Sequence, residues 1–302
     1  PKGNFGSLRT RGWELSIDYN HRFENGLGIN AMVSLSDAQT EITAYGDTKS
    51  IDSWYIGKKY GEIWGYRTDR LYQKDDFVYA DGKLVTVWAL NGKEVPANTP
   101  GAKEMNKLKD PNGVYQDYFQ TGTIKFGPGD VKYKDVNGDG IINGMDERPI
   151  GYPEGWAPIM SFGGNIGLQW KGIDLNIDLS GGAMQGWRQN YELANAYHGN
   201  GNSPVYLLED RWHRADLYDP ESEWIPGRYP AIRKGEFSYN NKNSDFWLHN
   251  VRYLRIKNLE VGYSLPAQLL RPIRAQKVRI YANVSNLCSF DNVGKFGVDP
   301  EI

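Results

Sequence analysis

The chain has 302 residues and a formal net charge of −2, with 35 glycines, 20 tyrosines, 10 tryptophans and one cysteine. That balance, with no basic block, gives no footing for a nucleic-acid partner, and a lone Cys288 excludes an internal disulfide framework or a multi-cysteine metal site. No apolar run approaches the ~18 residues of a membrane helix, but the negative mean hydropathy suits a β-barrel, whose strands alternate apolar and polar residues.

The first element is a strand from Trp13 to Phe23, in which Trp13, Leu15, Ile17 and Tyr19 alternate with Glu14, Ser16, Asp18 and Asn20. Glu24-Asn25-Gly26 turns the chain, and Leu27, Ile29, Ala31, Val33 and Leu35 carry the same alternation back, which predicts a hairpin. Each arm is about as long as the ~9–11 residues a tilted strand needs to cross a bilayer. A long excursion is expected over 37–159, far beyond the ~12–15 residues of a structureless loop, so it must carry structure of its own. A second hairpin follows: Phe162, Gly164, Ile166, Leu168 and Trp170 lead to a Lys171-Gly172 turn, then Ile173, Leu175, Ile177 and Leu179. Another excursion is expected over 181–242, and a third pair over 251–265 and 277–287, joined by a segment with one short helical turn. Short turns alternating with very long loops are the habit of outer-membrane barrels. Six evident strands would leave an open edge facing lipid, so they are expected to be part of a larger barrel.

Near the end of the first excursion, residues 135–146 place oxygen donors at the spacing of a calcium loop: Asp135, Asn137, Asp139, the Ile141 carbonyl, Asn143 and Asp146, with Gly140 at the sixth place. The last position carries Asp146 instead of the longer Glu, as in dockerin-type loops, which points to weaker affinity. The loop predicts a structural Ca2+ ion that pins the excursion; Asn, Asp and Gly also make plain solvated turns, and that alternative stays open.

Several ordered blocks carry a family resemblance. The run from Pro128 to Pro153 and the hairpin from Phe162 to Gly182 resemble the C-terminal half of TonB-dependent outer-membrane transporters of the SusC/RagA type. So do Leu8 to Phe23, Tyr60 to Gln73, Ser244 to Pro266, Val278 to Phe290 and the closing GVDPEI. The match departs at Arg70, where the family usually carries Gly. The resemblance implies an all-β fold, a segment of a large antiparallel transmembrane barrel of 22-stranded type with long extracellular loops, in the bacterial outer membrane. The plug, the TonB box and the last strand are expected outside this sequence. It further implies active import of oligosaccharides or peptides, a SusD-like surface lipoprotein as lid, and TonB as the energy source through the plug. On this picture Trp13, Tyr19, Phe23, Trp170 and Tyr263 form aromatic girdles at the lipid boundary, while Glu14, Asp18, Asp174, Asn176 and Asp178 line the lumen.

In the second excursion, Trp187, Tyr191, Tyr197, Trp212, Tyr218 and Trp224 offer ring faces to a cargo, although aromatic loops also pack on themselves. The four histidines are scattered, and there is neither an HExxH pair nor a nucleophile elbow, so no enzyme is expected. The competing reading is a soluble, calcium-dependent β-rich carbohydrate-binding or adhesion module. It differs in burying the apolar strand face that a barrel shows to lipid.

Overall fold

A computed structural model describes residues 6–46, 54–155, 157–219, 221–233 and 239–301. Its largest sheet has six strands: β1 (Gly6–Arg22), β2 (Gly28–Tyr45), β3 (Met160–Trp170), β4 (Ile173–Arg188), β5 (Leu248–Ser264) and β6 (Arg279–Asp291). They lie side by side in chain order, and the pairs β1/β2, β2/β3, β3/β4 and β5/β6 are antiparallel.

The register turns the alternation of single strands into two unlike faces. Ile17, Val33, Gly164 and Leu179 form one row across four strands, and Tyr19, Ala31, Ile166 and Ile177 the next. On the other face Ser16, Ser34, Gly163 and Ser180 align, followed by Asp18, Met32, Asn165 and Asp178 and then by Asn20, Asn30, Gly167 and Asn176. A one-residue slip would exchange the faces, so the hydrophobic pattern fixes the pairing.

The turns enforce the same register. Lys171 and Gly172 both have positive φ, 49° and 86°, the signature of the two-residue type I′ turn whose twist matches the flanking strands. Gly26, with φ 82°, closes the first hairpin by donating its N–H to the Phe23 carbonyl at 2.9 Å. Between β5 and β6 the chain makes the expected short helix, Ala267–Leu270.

The strands run further than their hydrophobicity. β2 continues to Tyr45, still paired with β1, although from Asp37 onward its apolar face thins to Ala38, Ile42 and Ala44, and β4 continues to Arg188. The two excursions therefore begin later than the 37 and 181 read from the sequence, and the second runs on to the start of β5 at Leu248. Backbone pairing sustains these extensions together with local burial, of Ile42 in β2 and of Gln185 in β4.

Residues Ile63–Gly151 and Arg188–His249 form a second compact unit with a core of its own. Tyr66, Tyr72, Phe77, Phe119, Phe126 and Tyr133 from the first excursion join Trp212 and Tyr239 from the second. Tyr66 meets Phe119 edge to face at 5.1 Å, and Phe119 meets Tyr133 at 5.7 Å, the geometry ring quadrupoles prefer. The fully buried Asp130 is satisfied from both excursions: Gly127 N donates at 2.8 Å, Arg233 Nε at 3.1 Å and Asn240 Nδ2 at 2.9 Å. A buried charge with this many partners ties the two segments, and removing one partner would leave it stranded. Arg70 lies in a short strand, Thr68–Leu71, paired with Val131–Tyr133. It has no positive φ, so no glycine is required there, and its guanidinium forks onto Asp76.

Candidate functional site

Rows of exposed apolar side chains in the middle of a sheet need a partner. Val33 is 57% exposed although its strand is paired on both sides, and Ile17 on the edge strand β1 is 59% exposed, so none of the described residues covers this face there. Trp13 and Phe23 stand ten residues apart, about 33 Å along a strand at ~3.3 Å per residue. At a tilt of about 40° that projects to roughly the 25 Å apolar band of an outer-membrane barrel. Tyr19 stacks on His21, which meets Phe23 edge to face at 4.5 Å, and the Tyr263 ring lies against Gly172 of the turn that follows Trp170. An aromatic belt thus marks the tight-turn end, with Trp13 toward the other.

The polar face is cross-linked through side chains. Asn165 donates to Asn176 at 3.0 Å and to Asp178 at 2.6 Å, and Asn258 reaches Asp178 at 3.3 Å, binding β3, β4 and β5. Arg279 of β6 donates through Nε to Asp174 of β4 at 3.1 Å and through a terminal nitrogen to Glu260 of β5 at 2.6 Å. It can cross β5 because Gly262 leaves the space: a Cβ there would run into the guanidinium. Asp174, Asn176 and Asp178, expected on the lumen side, are members of these links; Arg279, Asn165 and Asn258 were missed. Their only sequence signal was polar character opposite polar residues on strands whose register was not yet known.

A further group sits at β5. Arg255 donates to Asp299 at 2.7 Å and to Glu301 at 3.1 Å, Lys257 donates to Glu301 at 2.6 Å, and the Ser180 hydroxyl reaches the other Glu301 oxygen at 3.1 Å. Along β5 the apolar positions change phase from Leu254 and Ile256 to Leu259, Val261 and Tyr263, where the pairing with β6 is irregular between Ile256 and Asn258. Such an irregularity re-aims side chains at that point in a sheet. The Glu301 backbone N–H and then Arg255 hold the Asp299 carboxyl below the usual carboxylate range. Burial pushes Glu301 upward, but Lys257, Ser180 and Arg255 outweigh it and its carboxyl also ends low.

The aromatic residues singled out in the sequence do not form one platform. Trp212 is 4% exposed and is core, packed beside Trp224 at a centroid distance of 6.4 Å, so it presents no ring to a cargo. Trp224 is covered on one face by the Arg214 guanidinium at 4.2 Å. Tyr191 pairs with His198 at 5.5 Å, with Tyr197 next to it in the chain, both well exposed. Tyr218 stands 98% exposed. Trp187, at the end of β4, packs on Phe296 at 5.7 Å. Burying large rings lowers free energy most where a core is being built, and Trp212 was drawn inward on that account.

In the 135–146 loop, Gly138 and Gly140 have φ of 75° and 83°, and Asp135 accepts their N–H groups at 2.7 Å each. Asp139 accepts from Ile141 N at 2.8 Å, and Asn143 from Met145 N at 2.7 Å. Asp146 is fully buried and accepts from Val136 N and Asn143 N at 2.8 and 2.9 Å. Among the described residues no cluster of three or more His, Cys, Asp or Glu stands where a metal would need it, so amide and carbonyl oxygens must supply part of any donor set. The oxygens are of the kind a hard cation takes, and a carboxylate that accepts N–H bonds keeps further lone pairs. The donor chemistry fits calcium, with Asp146 committed first to the fold of the loop.

A lipid-facing apolar surface, an aromatic belt and a cross-linked polar face define a segment of an outer-membrane β-barrel. No family model matches the sequence. Relatives are the TonB-dependent receptors P3, P26 and P39 of Formosa agariphila, 29%, 24% and 21% identical over 63%, 99% and 100% of this chain. The chain spans only 18%, 26% and 28% of their respective lengths. Among solved structures, the RagAB peptide transporter aligns over 99% of this chain and 27% of its own, with a TM-score of 0.57 at 18% identity. The RagAB importer in its open-open state aligns over 98% and 26%, with a TM-score of 0.55 at 18% identity. The chain is similar to these TonB-dependent receptors over up to its whole length, and it has the fold of a RagA-type barrel segment, which places it in the bacterial outer membrane. The exposed apolar rows accord with that assignment and not with a soluble module.

Proposed function

We propose that the receptor to which this segment belongs is an active importer, taking up oligosaccharides or peptides with energy delivered by TonB through a plug, under a SusD-like surface lipoprotein lid. The observation that carries this is the division of the sheet: lipid-facing rows on one side, and on the other a polar wall fixed by side-chain links, as a conduit for polar cargo requires. The RagAB relatives, solved as a peptide transporter, support it by analogy of fold. No catalytic step is assigned. The test is uptake of labelled oligosaccharides and peptides by cells carrying the full-length receptor, with and without TonB and the neighbouring lipoprotein. Uptake that persists without TonB would refute active import, and uptake indifferent to the lipoprotein would refute the lid.

Calcium is part of the same proposal. Asp135, Asn137, Asp139, Asn143 and the Ile141 carbonyl would hold the ion with Asp146 closing the loop, and the ion would supply order, not chemistry. Chelation is expected to raise the protease sensitivity of the first excursion while the barrel strands stay protected. Asp135→Ala is expected to abolish the calcium-dependent part of that protection without affecting membrane insertion. Equal digestion with and without chelator would remove calcium from the account.

A further inference from the structure

The group at Arg255 holds an acidic segment of the chain itself. Two cations on β5 and a hydroxyl on β4 converge on the carboxylates of Asp299 and Glu301, which stand either side of Pro300. The chain bends at Pro300, and both flanking carboxylates reach the same guanidinium, that of Arg255. Proline as the spacer has no N–H to satisfy and a fixed φ, which narrows the conformations of the segment. The segment is further locked by the Glu301 N–H, which donates to Asp299 at 2.9 Å.

The two sides of this contact differ in what they risk. The Arg255 side chain is only 11% exposed, whereas Asp299 is 63% exposed. If the acidic segment left, Arg255 and Lys257 would lose the carboxylates that pair them here. The site therefore favours exchange of one carboxylate ligand for another over standing empty. Solvent reaches the acidic segment from its Asp299 side, while Pro300 at its centre is buried, so exchange requires the segment to lift at Pro300.

We infer that Arg255, Lys257 and Ser180 form a recognition site for an acidic peptide with two carboxylates in i, i+2 spacing, and that Asp299-Pro300-Glu301 fills it in cis as an internal competitor. The biological meaning of this site, selection of acidic cargo on the lumen wall, rests on the import reading. Its chemistry does not, since binding at equilibrium requires neither TonB nor transport.

The experiment measures binding of a fluorescent, end-blocked Gly-Asp-Pro-Glu-Ile peptide to the purified full-length receptor in detergent, with retention of the compact barrel band on unheated gels as the check of folding. Asp299→Asn with Glu301→Gln is expected to raise affinity at least about tenfold over the unmodified receptor, because the competitor loses its charge-assisted bonds. Arg255→Gln with Lys257→Gln is expected to abolish binding, and the Gly-Asn-Pro-Gln-Ile peptide is expected not to bind either form. Should the double cation variant fail to fold, Lys257→Gln alone is expected to weaken binding about tenfold in the background freed of its competitor. No gain on neutralising the segment, or equal binding of the amide peptide, would overturn the inference. So would trigalacturonate competing as well as the peptide, which would show a generic anion site. Binding that behaves as expected while cells fail to take up any cargo would sink the import reading and leave the site standing.

Discussion

The sheet and the excursion unit are held by opposite means. In the sheet, the largest side chains point away from the protein, and pairing of backbone and cross-links on the polar face hold the strands. In the excursion unit, rings point inward and an aromatic core of soluble type does the holding. One chain thus answers two solvents. The same Trp and Tyr residues are boundary markers in one region and core in the other, so their role follows from the medium around them, not from their identity.

The contrast can be broken at either end. The largest effect is expected in the excursion core: Phe126→Ala removes a ring packed 5.5 Å from Tyr239 and should cost about 3–5 kcal/mol of that unit's stability. Hydrogen exchange of its amides reads this, and membrane insertion should be unaffected. Next come two neighbours on β2. Val33→Arg puts a charge on the lipid face near mid-strand and should destabilise the barrel by about 2–4 kcal/mol, while Ser34→Arg on the polar face should stay within about 1 kcal/mol. Equal effects in denaturant titrations of the receptor in lipid would erase the assignment of faces. Gly262→Val closes the lane through which Arg279 crosses β5 and should cost about 1–3 kcal/mol by overpacking; Arg279→Leu in that background should then add little, since the link is already gone.

The smallest effect is a pH dependence in the excursion unit. Burial pushes Asp76 upward, but Arg70 and the Gln73 N–H outweigh it and leave its carboxyl below the ordinary value. A depressed carboxylate contributes stability that is fully present above its unfolded value of about 3.9 and is lost as pH falls through the lower folded-state value. Because Arg70 is 42% exposed, solvent screening limits the contribution to about 0.5–1 kcal/mol. Asp76→Asn should flatten this acid limb in hydrogen exchange of residues 70–77; an unchanged limb would assign it to other carboxylates.

The β-barrel class and its hairpins were legible because alternation with period two is a local signal, and Lys171-Gly172 and Glu24-Asn25-Gly26 are local turn chemistry. The ends of β2 and β4 were not, since beyond Asp37 and Ser180 the strands continue with too few large apolar residues to announce them. Trp212 illustrates the same limit within the excursions. Which rings become core depends on partners from a distant segment, Tyr66 and Phe119 among them, and no window of sequence contains both. Arg279, Gly262 and Asp174 form one device from three strands, visible only once the register is known. The oxygen pattern of 135–146 stood out at once, since all its donors lie within one loop.

The discontinuous core of the excursion unit has a consequence for the order of events in biogenesis. Tyr66, Tyr72 and Phe119 leave the translocation machinery long before Trp212, Tyr239 and Arg233, and the segments for β3 and β4 come between them. During that interval the first excursion exposes rings and the carboxylate of Asp130 with no native counterpart to receive them. It is then a client for periplasmic chaperones and a target for proteases, a vulnerability that long-range contacts impose on a nascent chain. Arrival of the second excursion ends that exposure, so closure of this unit can serve the cell as a check that both loops have been delivered.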